Sequence, residues 1–513
     1  MPQKVRLLAL PTEILGITLH LCTSSQLLSI RQVCRAINSL AEPIIFSTIS
    51  FDLRRSLEVT ADQVKSLAEG KTKARFYARR LVIELTQASD QQIKIEGHPP
   101  VLQIKRYLVQ ALTSLKNVRF VILATMLGSP DWIIDGFSRF ISQIPLLEGL
   151  QITAILVELP PLPGLQNIRS LSLAVGRDFL QIISAVINKA PMLTSLSIDS
   201  RGDAASLNDI FDNLVEPRRL LRLNLHEAIL DLSENALQHL RSLRALWLSG
   251  GTFNEPTDLE ENQHADDWEL DDEEELRDHA PVLVDQIKQI RPKSTAFWTT
   301  LYRECILLEE LHVDSADHAL FEYIASYTGL QDLRLPGVDG VRRALVDHLA
   351  DYFYTHALPK HITTLERLCL VSTHTSTWVF GPNTSSLISQ CHNLRYLQIG
   401  WNAKDSNAKK YLYEIMDLSA TLPLLNDLTI SYSYPRSTRD IRQFSKFRCA
   451  EIYDTLACSL LPRYGPIDPQ EHLHCIQVRR MKWKLVQHGD TWRYNYVSTR
   501  NIHGHGGGWV EDD

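Results

Sequence analysis

Cys391-His392-Asn393-Leu394-Arg395-Tyr396-Leu397-Gln398-Ile399-Gly400-Trp401-Asn402 is the stretch that decides how this chain is read. Leu397 and Ile399 stand two apart, so in a strand they share one face. Leu394 lies three residues earlier and packs beside them. The spacing recurs from Leu193, Leu220, Leu243, Leu308, Leu330, Leu365 and Leu425. Earlier copies begin at Leu115, Leu147 and Ile168, and looser ones at Ala78 and Leu473, about 13 in all. One such unit cannot bury its apolar face alone, whereas parallel stacking of many units can.

Between the copies lie helical patterns such as Phe179-Leu180-x-x-Ile183-x-x-Val186-Ile187. The expected fold class is therefore α/β, a leucine-rich-repeat solenoid of irregular repeat length, with parallel strands on the concave face and helices on the convex face. Residues alternating with the buried leucines should line the concave face, which repeat proteins commonly use for binding. Trp247, His312, Arg334, Tyr396 and Gln398 are the candidate target-binding residues, because aromatic and arginine side chains are the usual interface anchors. Cys391 opens the fullest copy and Cys305 holds the corresponding place in its own, so both are read as small buried hydrophobes.

The first fifty residues do not share this period. Residues 10 to 46 read LPTEILGITLHLCTSSQLLSIRQVCRAINSLAEPIIF. Pro11 suits the first turn of a helix, and Ile14, Leu15, Ile17, Leu19 and Leu21 cover more than one face of it. Ser24 or Ser25 can cap a second helix. A third runs from about Val33 to Leu40, and Pro43 opens a last short turn. A unit this small needs outside support, either from the repeats or from a partner.

This segment resembles an F-box. The resemblance rests on Leu10-Pro11-x-Glu13-Ile14-Leu15, the Leu27-Leu28 pair, Val33-Cys34-Arg35 and the apolar close at Phe46. Gln26 and Ile37 depart from the pattern, where many members carry an Asp and an aromatic. The resemblance implies docking to a Skp-type adaptor, and through it to a cullin scaffold. The contact would be made by Leu10, Pro11, Ile14, Leu15, Leu27, Leu28, Val33, Cys34 and Ile37. The Cys391 copy is similar to the cysteine-containing repeats that often follow F-boxes.

The remaining composition excludes more than it suggests. Net charge is −7, which asks for neither nucleic acid nor an anionic membrane. The eight cysteines include no C-x-x-C pair, so no structural metal site is expected. No apolar run is long enough for a membrane span. Glu255 to Asp278 holds 13 acidic residues and one basic one, Arg277, too charged to fold alone. Lys65, Lys71, Lys73, Arg75, Arg79 and Arg80 form a basic stretch, taken as a solvated helix face. The segment around His488-Gly489-Asp490 alternates as a β-hairpin would, and His503 and His505 on the glycine-rich end are too few for a metal site.

The expected plan is an F-box over 8–50, a basic helical connector over 51–77, and a first set of repeats over 78–253. An acidic, disordered insert then spans 254–300, a second set of repeats 301–480, and a hairpin cap with a flexible tail 481–513. No G-x-S-x-G, P-loop, H-E-x-x-H or G-x-G-x-x-G constellation is present, so neither catalysis nor a cofactor is expected. Two functions remain open: a cytoplasmic or nuclear substrate adaptor of an SCF-type ubiquitin ligase, or a repeat scaffold that acts outside ubiquitination.

Overall fold

In the computed structural model the chain divides into two compact units, Met1–Ser242 and Leu243–Asp513. The structure describes residues 10–53, 57–84, 98–125, 131–154, 165–174, 180–200, 205–250, 292–336, 343–371, 380–401, 408–432, 475–478, 481–488 and 491–498, with Leu162 and Trp378. The acidic run of the expected insert, the linker before the last copy and the His503–His505 tail lie outside them.

The first unit opens with α1 (Thr12–His20), α2 (Ser24–Ile30) and α3 (Arg35–Ile45). Next come β1 (Thr48–Asp52), α4 (Leu57–Ala68), α5 (Ala74–Tyr77), β2 (Arg80–Glu84), α6 (Pro99–Thr113), β3 (Phe120–Thr125), α7 (Asp131–Ile141), β4 (Gly149–Ala154) and β5 (Ser170–Ala174). The unit closes with α8 (Leu180–Asn188), β6 (Ser195–Asp199), β7 (Ala205–Ser206), α9 (Leu207–Phe211), β8 (Arg222–His226), β9 (Ala228–Ile229) and α10 (Glu234–Leu240). Strands β1 to β6 and then β8 pair in parallel, each with the next, while β7 and β9 form a separate pair. The register puts Leu81, Val121, Leu150, Leu171, Leu196 and Leu223 in one buried row.

The second unit carries β10 (Ala245–Ser249), α11 (Pro292–Arg303), β11 (Glu310–Val313), α12 (His318–Ala325), β12 (Asp332–Leu335) and α13 (Arg343–Tyr352). A π-helical turn at Phe353–Ala357 and a 3-10 turn at Leu358–Lys360 precede β13 (Arg367–Leu370), α14 (Pro382–Ile388), β14 (Tyr396–Trp401), α15 (Ala408–Thr421), β15 (Asp427–Tyr432) and β16 (Cys475–Val478). Strands β10 to β16 are parallel. Then β17 (Met481–His488) pairs antiparallel with β16 and with β18 (Thr491–Ser498). Strands β1 to β6 with β8 in the first unit and β10 to β16 in the second are thus open parallel arrays, compatible with a repeat solenoid, and an antiparallel hairpin follows the second.

Side chains also tie one repeat to the next. Asn117, Asn167 and Asn393 each stand just before the first apolar residue of a copy. Their amides donate to the carbonyls of Phe76 at 2.8 Å, Pro145 at 3.0 Å and Thr363 at 2.6 Å in the preceding repeat. These bonds are solvent-exposed, so each contributes about 0.5–1.5 kcal/mol, and the asparagines add to the pattern that the leucines set.

Several expectations need correction. The first strand comes earlier than Ala78: the copy Phe46-Ser-Thr-Ile49-Ser-Phe51 forms β1, in register with β2 through Ile49↔Leu81 and Phe51↔Ile83. The copy placed at Leu115 starts three residues later, at Val118. Apolar residues at 118, 120, 121, 122 and 123 permit two registers, and Val121 and Leu123 are the buried pair. Phe120 is left 44% exposed on the opposite face, its ring lying where a Cβ on Gly149 would stand, 2.5 Å from Cδ1. Only glycine permits that approach.

Cys305 is exposed, unlike Cys391. It ends α11 in the left-handed conformation, φ 53°. There its N–H donates to Tyr302 O and the N–H of Ile306 to Leu301 O, the paired bonds of a Schellman stop. Ile306 then takes the buried place. Helix α11 also begins inside the segment read as insert, because Phe297, Trp298 and Leu301 recur at helical spacing and are buried.

Candidate interaction surfaces

The N-terminal helices are built around Leu19, Leu27, Ile37 and Ala41, with Cys22, Ile30, Cys34, Leu40 and Ile44 packed at the edge. Pro11 is the residue before α1 rather than its first turn. Thr23, not a serine, caps α2: its Oγ1 accepts from the Gln26 N–H at 3.3 Å and the Gln26 Oε1 accepts from the Thr23 N–H at 2.7 Å. Gln26, a departure from the F-box pattern, thus completes a capping box. Helix α3 runs through Pro43 to Ile45 instead of breaking there.

Lys73, the residue before α5, donates to Glu42 Oε2 of α3 at 2.7 Å and ties α3 to the segment behind it, while Asn38 of the same helix donates to Oε1 at 2.9 Å. The Lys73 hydrogen bond outweighs burial and holds the Glu42 carboxyl below the usual carboxylate range.

The nine residues proposed for adaptor docking fall into two groups. Leu15 is buried, Leu27 and Ile37 are buried in the helices' own core, and Cys34 is half-buried against it. Leu10 is half-buried, while Pro11, Ile14, Leu28 and Val33 face solvent. Ile17 and Leu21 add to the exposed apolar surface of this segment: Ile17 is 61%, Leu21 83% and Val33 71% exposed. Ile17 and Leu21 belong to this surface although the motif did not single them out. The crowding of apolar residues around α1 was the available signal.

The second surface lies on the sheet of the second unit, on the face opposite its leucines. Trp247, His312, Arg334, Cys369, Gln398, Thr429 and Gln477 stand in register as one row across seven strands. Four of the five candidate target-binding residues lie in that row. The fifth, Tyr396, lies in the adjacent row and donates to Gln398 Oε1 at 2.9 Å, while Gln398 donates to Ser431 at 3.0 Å. The rings of Trp247 and His312 meet edge to face at 5.9 Å, and the Arg334 guanidinium lies 5.9 Å from the Trp247 ring centre.

Asp332 organises the charge here. It accepts two bonds from Arg334, at 3.1 and 2.9 Å, and Arg367 stands 3.9 Å away. Burial works against the Arg334 cation, but the Asp332 bonds more than compensate and raise its pKa. Burial and the nearby Arg334 charge push His312 from 6.5 down to about 4, so it is neutral at ordinary pH. Burial lifts the Cys369 thiol to about 12, leaving it no nucleophile. Sequence reading missed Asp332, Arg367 and Cys369, although each stands at a strand position facing away from the leucines.

Among the described residues no helix is long and apolar enough to cross a membrane, and no three His, Cys, Asp or Glu side chains gather as metal ligands would.

No protein-family model matches the chain, and no curated protein matches it. Among solved structures it is similar to a chain of the crystal structure of the Rad7 and Elc1 complex in yeast. The identity is 13%, the TM-score 0.34, and the match covers 82% of this chain and 96% of that one. A likeness so low says nothing about this chain's partners or activity.

Proposed function

We propose that this chain is a non-catalytic substrate adaptor: α1 to α3 act as an F-box that docks a Skp-type adaptor of an SCF-type ubiquitin ligase, and the repeats hold a target protein. One observation carries the reading. The segment of three short helices and their connections keeps Ile14, Ile17, Leu21, Leu28 and Val33 exposed beside a separate buried cluster of Leu19, Leu27, Ile37 and Ala41. Burying an aliphatic side chain of this size contributes about 1.5–3 kcal/mol before the costs of association are met. The Leu10-Pro11-x-Glu13 start gives the surface its partner class by resemblance. The Trp247-to-Gln398 row is the proposed target surface, with Arg334 and Tyr396 as anchors. The alternative is a repeat scaffold that acts outside ubiquitination.

Co-purification of the full chain with a Skp-type adaptor tests the proposal. The wild type should capture the adaptor. Ile14→Glu combined with Val33→Glu should abolish capture with no change in thermal unfolding, because both side chains are exposed. A folded wild-type chain that never captures the adaptor rejects the ligase reading and leaves the scaffold.

A further inference from the structure

A cavity of about 390 Å³ opens in the first unit where α3 and α5 meet the turns before β2, β3 and β4. It belongs to neither surface described above. Three short pieces of chain build it by the same backbone rule. The Ser47 carbonyl accepts the N–H groups of Arg79 and Arg80 at 2.8 and 2.9 Å. The Arg79 carbonyl in turn accepts those of Arg119 and Phe120 at 2.7 and 3.0 Å. Arg79 and Arg119 thus hold equivalent places in adjacent repeats, about 4.8 Å apart along the stack. Asn117 locks the third piece by its bond to the Phe76 carbonyl.

The walls differ in chemistry. Ile44, Pro43, Phe76 and Leu146 make an apolar side, and Phe76 and Leu146 are themselves exposed. Arg79 and Arg119 make a cationic side with His20 beside them, and no carboxylate lines the cavity among the described residues. The Arg119 guanidinium reaches out to Glu148 at 2.9 Å in an exposed ion pair, which solvent makes cheap to exchange. Arg79 has no side-chain hydrogen bond or ion pair among the described residues. Two arginines one repeat apart, one of them uncommitted, beside exposed aromatic and aliphatic groups complement an anion attached to an apolar body.

We propose that this cavity binds an acidic peptide of a partner protein. One bulky apolar side chain seats against Ile44, Phe76 and Leu146, and neighbouring carboxylates pair with Arg79 and Arg119, the latter exchanging Glu148 for the peptide. The site stands apart from adaptor capture, whose test reads Ile14 and Val33.

Fluorescence anisotropy on the full chain tests it. The probes are fluorescein-labelled peptides with a central Leu, Phe or Trp flanked on both sides by Asp and Glu. Control peptides replace the acids with Asn and Gln, replace the central residue with Gly, or carry phosphoserine among neutral residues. Saturable binding of at least one acidic peptide is expected, weakened about tenfold or more by Arg79→Glu and also by Leu146→Asp, with unfolding temperature unchanged. The proposal is overturned if no acidic peptide saturates, if the amide or glycine controls bind as well, if Arg79→Glu has no effect, or if only the phosphopeptides bind.

Discussion

Leu171 and Leu173 of β5 in the first unit and Leu397 and Ile399 of β14 in the second occupy the same two inward places of a repeat, and all four are buried. What surrounds them differs. The first unit fills the space behind its strands mainly with aliphatic side chains such as Ile104, Leu108, Ile183 and Ile187. The second fills it with rings: Trp298 against Tyr323, and Phe321 against both Phe353 and Trp378 at 5.4 and 5.5 Å.

Rings with polar tips need acceptors when buried. Tyr323 donates to Ile306 O at 2.6 Å, Tyr327 to Leu308 O at 3.1 Å and Tyr354 to Trp378 O at 3.3 Å. The bulk also accompanies repeat length. From Leu330 to Leu365 is 35 residues, against 22 from Leu308 to Leu330, and the longer interval contains α13 with its π-helical and 3-10 turns. The outward rows diverge as well: Ser172, Ser197 and Asn224 in the first unit stand where His312, Arg334 and Gln398 stand in the second. The inward code therefore sets the strands, while the other positions remain open to different packing and different ligands.

The largest test of this contrast is Phe321→Ala. A buried phenylalanine with two ring neighbours should cost about 3–5 kcal/mol on truncation, read as a lowered urea midpoint. Leu196→Ala, at a sheet position of the first unit, belongs to the range of about 2–5 kcal/mol. A Phe321→Ala loss well below that of Leu196→Ala would mean the aromatic layer of the second unit is loosely packed.

Acid should expose a second difference. Burial lowers the pKa of His239 in the first unit and of His312 and His361 in the second. A histidine kept neutral by the fold binds fewer protons than it does unfolded, so its contribution is intact above the ordinary value of 6.5 and is lost as pH falls toward the folded value, about 4 for His312. Urea midpoints measured at pH 7.5 and pH 5 should fall with acid, and more gently in a His312→Gln, His361→Gln double variant. An unchanged slope would show that these two histidines are already charged in the folded protein.

The smallest expected effect concerns how helices stop. Helix α4 ends on Gly70, φ 70°, and α11 ends on Cys305, φ 53°, with the same paired bonds. A residue with a Cβ pays for the left-handed region where glycine does not. Cys305→Gly should therefore raise stability by about 0.5–1 kcal/mol, net of glycine's greater freedom in the unfolded chain. A loss of stability would show that the Cys305 side chain has a favourable contact there.

Much of this is legible in the sequence. The L-x-x-L-x-L spacing locates most strands to within a residue or two, since a strand buried on one face must repeat with period two. The crowding of apolar residues around α1 announced a surface the helices could not bury. Other features were not legible. The two registers open at Val118–Leu123 are equally apolar, and only the neighbouring strands, with Gly149 leaving room for the Phe120 ring, select between them. Leu15, Leu27 and Ile37 carry the same motif as Ile14, Leu28 and Val33, and only the packing of three helices separates core from surface.

The parallel strands and the open α/β stack were readable from the order of residues, because periodic burial is a local pattern repeated many times, and the N-terminal helices from their own apolar spacing. Only the tertiary structure settles which residues of successive repeats become neighbours: Asp332 with Arg367, and Arg79 with Arg119 around a cavity. The reason is that strand register converts separations of some twenty to forty residues into a single inter-strand step of about 4.8 Å, a distance on which the intervening chain has no bearing.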